Sequence, residues 1–370
     1  MTIKVGVPKE IKKQENRVGL VPRSVKEYVA NGHEVLVEKG AGAGIGAGDD
    51  SYREAGARVI DTASEIFESA DMIVKVKEPQ PTEWKQLREG QLLYTYLHLA
   101  PDPDQTKGLL ESGCTAIAYE TVSDDRGGLP LLAPMSEVAG RLSVQVAAQS
   151  LEKHNGGKGL LIGGVPGVAP AKVVIIGGGN VGTNAAKMAI GLGAEVSILD
   201  RSIDRMRELD DMFNGRVRTV YSSTGALEDE VAAADVIIGA VLIPGASAPR
   251  LITKKMLSTI EDGSVMVDVA IDQGGCFETS KATTHAEPTY VVDGVVHYCV
   301  ANMPGAVAKT SSFALNNATL RYGIDLANHG IKAFENKHLA EGVNVMTGKV
   351  TNKAVADSLG VDYVPLDTLV

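Results

Sequence analysis

The sequence predicts an α/β protein with two doubly wound domains, each built on a parallel sheet covered by helices. The chain has 370 residues, which is long for one core and favours two domains of roughly 100–200 residues each. Apolar, β-rich runs alternate with helical patterns almost throughout, as such sheets require. One of these runs leads into a glycine-rich turn that is followed by a helix, which is a recurring feature of this architecture.

In the first part of the chain, β-rich runs predict strands at residues 3–7, 34–38, 72–77, 91–97 and 115–118. Helical patterns between them predict helices at residues 23–31, 49–55, 62–69 and 104–112. A long helical stretch then opens at residues 134–136, with an apolar stripe at Val138, Leu142, Val146 and Leu151.

A glycine- and proline-rich connector at residues 163–170 leads into a second regular series. Its β-rich runs predict strands at residues 173–176, 195–199, 216–221, 236–241 and 265–269, which matches the size and alternation of a doubly wound unit. Helical patterns follow residue 304 to the end. We therefore predict one discontinuous domain of residues 1–130 and 304–370, a second domain of residues 131–303, and a cleft between them.

Composition and charge argue against several classes of protein. The chain carries 36 Lys and Arg against 46 Asp and Glu, a net charge of −10, which argues against nucleic-acid binding. No apolar run approaches the ~18 residues of a membrane helix, and the start does not resemble a secretory signal. The three cysteines, at positions 114, 276 and 299, are far apart and predict neither a disulfide framework nor a zinc site. We expect a cytoplasmic protein.

Residues 172–182 read KVVIIGGGNVG, a strand that runs into a G-x-G-x-x-G turn. Gly177 permits the tight turn, Gly179 lets the backbone approach a pyrophosphate, and Gly182 allows close helix packing. The next strand ends at Asp200, whose carboxylate can accept from ribose hydroxyls and would repel a 2′-phosphate. Together these features predict that residues 131–303 form a Rossmann domain that binds NAD rather than NADP.

A second glycine-rich stretch, GAGIGA at residues 42–47, has nearly the same spacing. Asp49 and Asp50 follow it at the start of a predicted helix, where a pyrophosphate would need positive potential. Their carboxylates fit helix capping instead. We interpret this stretch as a structural turn.

Polar residues follow four predicted strands, and ligands in open α/β sheets lie beyond the carboxyl ends of strands. Arg17 and Lys77 could bind a substrate carboxylate, and His98 could exchange a proton with a substrate oxygen or nitrogen. Asp272 could orient His98 or stabilise a cationic intermediate. Each also has an ordinary structural interpretation, as an exposed cation, a hydrogen-bonded histidine or a turn aspartate. As a set they indicate oxidation of a small 2-amino or 2-hydroxy acid.

Three further features allow two interpretations each. Ser136 is either an N-cap or a contact to the diphosphate, and Ser222 is either an adenine contact or a turn residue. Asp325 and His329 share a helix face at i and i+4 and could bind a divalent ion, or they simply end a helix with a favourable dipole contact.

Several long segments resemble the alanine dehydrogenase family. They are GVPKE (6–10), RVGLVP (17–22), KVKEP (75–79), LHLA (97–100), LLAPMSEVAGR (131–141), DVAIDQGGCFE (268–278) and YCVANMP (298–304). The resemblance covers nearly the whole chain. It implies reversible oxidative deamination of L-alanine to pyruvate and ammonia with NAD, in a cytoplasmic homohexamer.

The resemblance also assigns roles to individual residues. It implies pyruvate binding by Arg17 and Lys77 and acid–base roles for His98 and Asp272, and it matches Asp325 and His329 to a magnesium position. With the glycine turn, the implied cofactor contacts are Ser136, Gly177, Gly179, Asn180, Val181, Gly182, Asp200, Arg205, Ser222, Val241, Leu242, Val269, Ala270, Ile271, Asp272, Lys281, Asn302 and Met303. Lys281 departs from an expected arginine, and a lysine cannot give a bidentate contact.

Two other functions stay open at this point. The NAD-binding component of transhydrogenases belongs to the same group and passes hydride between two nucleotides without an amino-acid substrate. The second is a non-catalytic regulator that binds NAD, in which His98 and Asp272 would have no catalytic role.

Overall fold

The computed structural model describes residues 2–241 and 248–370, which form two compact units. The first unit combines Met1–Met135 with Val307–Val370, and the second is Ser136–Ala306. Both units are built from a mostly parallel sheet flanked by helices, so the predicted α/β fold class is confirmed. The predicted domain boundaries lie after residues 130 and 303, and the relation of each unit to substrate or cofactor stays a prediction.

The strands are, in chain order, β1 (Lys4–Val7), β2 (Glu34–Glu38), β3 (Arg58–Ile60), β4 (Met72–Val74), β5 (Leu92–Thr95), β6 (Thr115–Ala118), β7 (Lys172–Ile176), β8 (Glu195–Asp200), β9 (Arg218–Tyr221), β10 (Val236–Gly239), β11 (Val265–Asp268), β12 (Thr289–Val292), β13 (Val295–Tyr298), β14 (Val343–Met346) and β15 (Lys349–Val350). The central strands are buried along their whole length. Burial on both faces explains why they read as continuous apolar runs and not as alternating ones.

The α-helices are α1 (Pro22–Ala30), α2 (Asp49–Glu54), α3 (Ala63–Ser69), α4 (Pro81–Trp84), α5 (Pro103–Ser112), α6 (Ala133–Ser150), α7 (Asn180–Gly191), α8 (Ile203–Phe213), α9 (Thr224–Ala232), α10 (Lys254–Leu257), α11 (Ala308–His329), α12 (Lys337–Ala340) and α13 (Lys353–Leu359). Many begin where a side-chain oxygen accepts from the first helical turn. Examples are Thr62 before α3, Asp102 before α5 and Ser202 before α8. Among the residues described here, no helix is long and apolar enough to cross a membrane.

The sheet of the first unit has the strand order β15-β14-β6-β5-β4-β1-β2-β3. Strands β1 to β6 are all parallel to one another. Strand β14 pairs with β6 in the antiparallel direction, and β15 pairs with β14 in the same way. The chain therefore changes direction across the sheet between β1 and β4. Such a switch point is where doubly wound sheets bind ligands, outside the carboxyl ends of the strands.

The second unit has the order β12-β13-β11-β10-β7-β8-β9. All neighbouring pairs are parallel except β12 with β13. Apart from β12, this is the 3-2-1-4-5-6 order of a dinucleotide-binding fold, with its switch point between β7 and β10. An apolar core under this sheet includes Ile176, Leu199, Ile237, Met266 and Phe277.

The prediction of helices from residue 304 to the end was wrong for β14 and β15. These strands form a hairpin whose two-residue loop, Thr347 and Gly348, has positive φ values of 47° and 73°. Such a primed turn matches the twist of the strands it joins. The strands are too short for their alternation to stand out, and their burial against β6 is a property of the fold.

Two predicted strands extend too far because glutamate side chains take over backbone hydrogen bonds at their ends. The strand at residues 72–77 ends at Val74, although residues 75 and 76 keep two backbone hydrogen bonds to residues 94 and 96, and the N–H of Val76 donates to Glu10 at 2.7 Å. The run at residues 91–97 ends at Thr95, and the N–H of Leu97 donates to Glu120 at 3.2 Å. Both carboxylates come from other segments of the chain, so the sequence pattern does not reveal them.

Candidate functional site

The glycine-rich turn follows β7 and leads directly into α7. Gly177 has a φ of +103°, a region that only glycine enters easily. A Cβ on Gly182 would lie 1.9 Å from the carbonyl oxygen of Gly177, whereas a Cβ on Gly179 would meet no described atom within 4 Å. The first glycine thus makes the turn, the third allows packing, and the second faces open space. This arrangement fits a diphosphate at the N-terminus of α7.

Asp200 and Arg205 both hold the peptide of Gly178 within this turn. One carboxylate oxygen of Asp200 accepts from the N–H of Gly178 at 2.8 Å, and the other accepts from the N–H of Ser202 at 2.8 Å. Arg205 donates through Nε to the carbonyl of Gly178 at 2.8 Å and through Nη2 to the hydroxyl of Thr183 at 2.9 Å. Arg205 therefore braces the turn from inside, in addition to its predicted role as a cofactor contact.

The remaining predicted cofactor residues also belong to the second unit, and most follow the carboxyl ends of its strands. Ser222 follows β9, and Val241 follows β10. Val269, Ala270 and Ile271 follow β11, and Asn302 and Met303 come after β13. Asn180 and Val181 open α7. Leu242 lies outside the described residues.

Ser136 does not cap a helix, so that interpretation was wrong. The helix α6 already begins at Ala133, because Pro134 is compatible with a first turn, where its missing N–H has no partner to lose. The hydroxyl of Ser136 therefore lies inside the first turn, and a cofactor contact stays open for it. Ser222 lies in the two-residue connection between β9 and α9, so both interpretations of this residue stay open.

Two aspartates in and after β11 have different environments. Asp268 is fully buried and accepts from the N–H groups of Ala270 at 3.1 Å and Cys276 at 2.8 Å, and from the hydroxyl of Ser280. Burial raises the pKa of its carboxyl despite these hydrogen bonds. Asp272 is exposed in the following turn, and its Oδ2 accepts from the N–H of Asn302 at 3.4 Å. Asp268 thus organises the loop that presents Asp272.

Lys281 lies on the surface beside Tyr290. Its N–H donates to the Tyr290 hydroxyl at 2.8 Å, and its ammonium lies 5.6 Å from the centre of that ring. The lysine that replaces an expected arginine therefore has a cation–π partner within its own unit.

Arg17 lies in the loop after β1 and is 2% exposed. Its Nε and Nη2 donate to the two oxygens of Glu15, both at 2.7 Å, and its Nη1 approaches the sulfur of Met135 at 3.1 Å. Burial opposes the charge, but the hydrogen bonds and the charge of Glu15 outweigh it and raise the pKa of Arg17 above its usual value. The guanidinium is therefore charged and held in one orientation.

Lys77 follows the end of β4 and is mostly buried. Its ammonium lies 3.7 Å from Oε2 of Glu78, and Lys12 forms a second ion pair with the same carboxylate. Burial opposes the negative charge of Glu78, but Lys77 and Lys12 outweigh it and lower the pKa of that carboxyl. Because Glu78 has two cationic partners, it keeps one of them if Lys77 turns to a ligand.

His98 follows β5, and its backbone φ of +48° lies in the left-handed region, which residues other than glycine rarely adopt. Its N–H donates to Oε1 of Glu120 at 2.6 Å, and its Nδ1 lies 3.8 Å from the same oxygen. The imidazole stacks on the ring of Tyr96, with 5.8 Å between centroids and 5° between planes. The side chain is 45% exposed, so the stacked ring is partly open to solvent.

Within the first unit, the structure brings three of the four strand-end residues to one edge of the sheet. Arg17, Lys77 and His98 follow β1, β4 and β5, which are consecutive neighbours. The positive charge of Arg17 also acts on Tyr96, on which His98 stacks. Asp272, the fourth residue, belongs to the second unit.

Three glutamates that support these residues were not singled out from the sequence. Glu15 and Glu78 lie within two residues of Arg17 and Lys77, so adjacent opposite charges could have revealed them. Glu120 is separated from His98 by 22 positions along the chain and comes from the turn after β6. Only the neighbouring positions of β5 and β6 in the sheet bring Glu120 to His98.

The second glycine-rich stretch packs tightly within the first unit. A Cβ on Gly44 would lie 2.2 Å from the carbonyl oxygen of Asn16, and one on Gly42 would lie 2.6 Å from Tyr52. This packing supports a structural turn. The predicted capping role of Asp49 was wrong, because Gly48 is the N-cap of α2 and Asp49 accepts from the N–H of Gly40.

Asp325 and His329 form a hydrogen bond of 2.8 Å between Oδ1 and Nδ1 near the end of α11. In the described part of the chain, no group of three or more His, Cys, Asp or Glu side chains could hold a metal ion. The structure therefore shows a side-chain pair on a helix end.

Known proteins resemble the chain over its whole length. Residues 6–139 match the model "Alanine dehydrogenase/PNT, N-terminal domain", and residues 143–353 match "Alanine dehydrogenase/PNT, C-terminal domain". A protein named alanine dehydrogenase from Halomonas elongata is 59% identical over 370 residues, which is 100% of both chains.

Solved structures give the same result. One named L-alanine dehydrogenase has a TM-score of 0.94 and 52% identity, covering 97% of this chain and 99% of its own. A transhydrogenase from Sinorhizobium meliloti has a TM-score of 0.82 and 27% identity, covering 94% and 99%. With both family models matched and a relative 59% identical along its full length, the chain belongs to the alanine dehydrogenase/PNT family.

Proposed function

We propose that the protein is an NAD-dependent alanine dehydrogenase, which converts L-alanine to pyruvate and ammonia reversibly. The observation that carries this proposal is the 59% identity to a named alanine dehydrogenase over the full length of both chains. The site geometry supports it, because two cations, Arg17 and Lys77, and a partly exposed histidine, His98, follow neighbouring strands at one edge of the sheet in the first unit. A substrate with a carboxylate and a neighbouring amino group fits those side chains.

The roles proposed for the residues follow from their environments. Arg17 is charged and oriented by Glu15, and it would bind the substrate carboxylate together with Lys77. His98 would hold or release a proton at the substrate nitrogen or oxygen during formation and collapse of the carbinolamine. Asp272, carried over from the resemblance, would stabilise the cationic amino form.

NAD fits the second unit, and it would supply the hydride acceptor when bound. Gly177, Gly179 and Gly182 would hold its diphosphate at the N-terminus of α7, and Asp200 would accept from the adenosine ribose. The free space beside Gly179 supports this placement. The other contacts implied by the resemblance, including Asn302 and Met303, would surround the rest of the dinucleotide.

Four finer features are proposed from the resemblance. They are a homohexameric assembly, a cytoplasmic location, a role in L-alanine catabolism, and magnesium at Asp325 and His329. Buried free cysteines at positions 114, 276 and 299 fit a reducing compartment. The proposed magnesium would need further ligands from solvent or from another copy, because the described residues offer it no group of three or more His, Cys, Asp or Glu side chains. Light scattering tests the assembly, and calorimetric titration with Mg²⁺ tests the metal.

The 27% identity to a transhydrogenase favours one second candidate, hydride exchange between two nucleotides. One experiment separates the two functions. The protein is assayed for NADH formation with a panel of L-amino acids, and for hydride exchange between NADH and an NAD analogue without any amino acid. NADH formation with L-alanine is expected. Exchange alone would support the transhydrogenase-like reaction, and binding without either reaction would support a regulator.

A further inference from the structure

Beside the proposed substrate site lies a network of three ionic side chains that the proposed chemistry does not use. Lys75 is completely buried, and its ammonium lies 3.0 Å from Oε2 of Glu10 and 2.8 Å from Oε1 of Glu83. The side chains of Glu10 and Glu83 are 1% and 3% exposed. A buried network of this kind is weak as a source of stability, because apolar side chains of similar volume often stabilise a fold equally well.

The two glutamates differ in what else they hold. Glu83 lies in α4, and its second oxygen accepts from the N–H of Gln80 at 2.7 Å, within the capping box of that helix. Glu10 lies in the loop after β1, and its second oxygen accepts from the N–H groups of Val76 at 2.7 Å and Lys77 at 3.4 Å. Only Glu10 therefore reaches the peptide that carries Lys77.

The backbone of Lys77 is held on both sides. Its N–H points to Glu10, and its carbonyl accepts from the hydroxyl of Thr95 at 3.0 Å. Glu10 also acts on Arg17, since its charge favours the guanidinium form. Lys75 keeps Glu10 in place, because its ammonium donates to Oε2 of Glu10 at 3.0 Å. Burial raises the pKa of the Glu10 carboxyl, and the charge of Lys75 opposes that rise in part.

We propose that Glu10, anchored by Lys75, is a positioning residue that sets the backbone of Lys77 and thereby the direction of its ammonium toward the substrate carboxylate. This inference rests on the proposed role of Lys77. A misplaced ammonium on a flexible stem binds a carboxylate less well, so the defect should appear in substrate affinity. Cofactor affinity should stay unchanged, because the predicted cofactor residues belong to the second unit.

The test compares Glu10→Gln with Glu83→Gln. Each variant removes one of the two carboxylate charges that pair with the buried Lys75, and both glutamates are almost completely buried. A role limited to pairing with Lys75 therefore predicts the same defect in each. We expect Glu10→Gln to raise the KM for pyruvate at least ~10-fold, while Glu83→Gln stays within ~3-fold of wild type. The Kd for NADH, from fluorescence titration, should change less than ~2-fold in both.

A third and fourth variant identify the route of the effect. Lys77→Ala should raise the KM for pyruvate by itself, and adding Glu10→Gln to it should raise the KM little further, because residues that act through one another are not additive. An unchanged KM in Lys77→Ala would refute the proposed role of Lys77. If Lys77→Ala raises the KM and the added Glu10→Gln raises it further by its full factor, the positioning role of Glu10 is refuted, but the role of Lys77 is not.

Other outcomes also decide the question. Equal KM increases in Glu10→Gln and Glu83→Gln would overturn the proposal in favour of general support. A lower KM in Glu10→Gln would overturn it too, since loss of a negative charge alone favours an anionic substrate. If Glu10→Gln does not fold, Glu10→Asp replaces it, because the shorter carboxylate cannot reach both Lys75 and the Lys77 peptide. The same KM criterion then applies.

Discussion

Gly179 and Gly182 stand three positions apart in the same turn, and alanine at each should have opposite consequences. At Gly179 the backbone has φ −69° and ψ −163°, which alanine adopts without strain. No described atom lies within 4 Å of the position of its Cβ. Gly179→Ala should therefore leave the free protein as stable as wild type. The added methyl group would stand where we place the diphosphate, so the Kd for NADH should rise at least ~10-fold, about 1.4 kcal/mol.

At Gly182 the added Cβ would lie 1.9 Å from the carbonyl oxygen of Gly177 and 3.1 Å from Cγ2 of Ile175. Ordinary contacts are about 3.5 Å, so α7 or the turn must move by more than 1 Å. Overpacking typically costs about 1–3 kcal/mol, and a clash with a backbone oxygen lies at the upper end, about 2–3 kcal/mol, against a helix-propensity gain of about 1 kcal/mol. We expect a net loss of about 1–2 kcal/mol, which lowers Tm by roughly 2–8 °C for a domain of this size.

The assays are thermal unfolding followed by circular dichroism and fluorescence titration with NADH, on both variants and wild type. A Gly179→Ala protein that binds NADH normally would show that this turn does not approach the diphosphate. A Gly179→Ala protein that is clearly less stable would show that the space beside it is not open. An unchanged Tm in Gly182→Ala would refute the packing argument.

Three further substitutions address individual side chains. Asp200→Ala should lower the ratio of kcat/KM with NAD to kcat/KM with NADP by at least ~10-fold, about 1.4 kcal/mol, because the carboxylate repels a 2′-phosphate. An unchanged ratio would show that Asp200 does not line the ribose site. His98→Ala should lower kcat by about 10²–10⁴-fold, roughly 3–5 kcal/mol, with NADH affinity nearly constant. A folded variant that binds NADH and keeps more than about a tenth of kcat would argue against acid–base catalysis. Glu120→Gln should lower kcat by about 10-fold, less than His98→Ala, because it loosens the left-handed backbone of His98 and keeps the imidazole; wild-type turnover in this variant would show that Glu120 is dispensable.

Features that depend on neighbouring residues along the chain could be predicted from the sequence. The strand, glycines and helix at residues 172–191 specify a dinucleotide turn, because each glycine has a steric requirement within the same few residues. Most strands of both sheets are evident for a similar reason, since burial on both faces demands continuous apolar runs. The strand-end positions of Arg17, Lys77 and His98 follow from those runs.

Features that depend on neighbours in space follow from the tertiary fold and were not evident in the sequence. Glu10 and Glu120 end two strands early by accepting their backbone N–H groups, and no local pattern distinguishes these glutamates from exposed ones. The hairpin of β14 and β15 exists because β6 offers it an antiparallel edge. Charge environments are decided in the same way: Lys75 and Lys77 are two positions apart, yet packing buries the first between two carboxylates and leaves the second at the sheet edge. Long-range packing assigns these roles because hydrogen bonds and desolvation act on whichever groups the fold brings together.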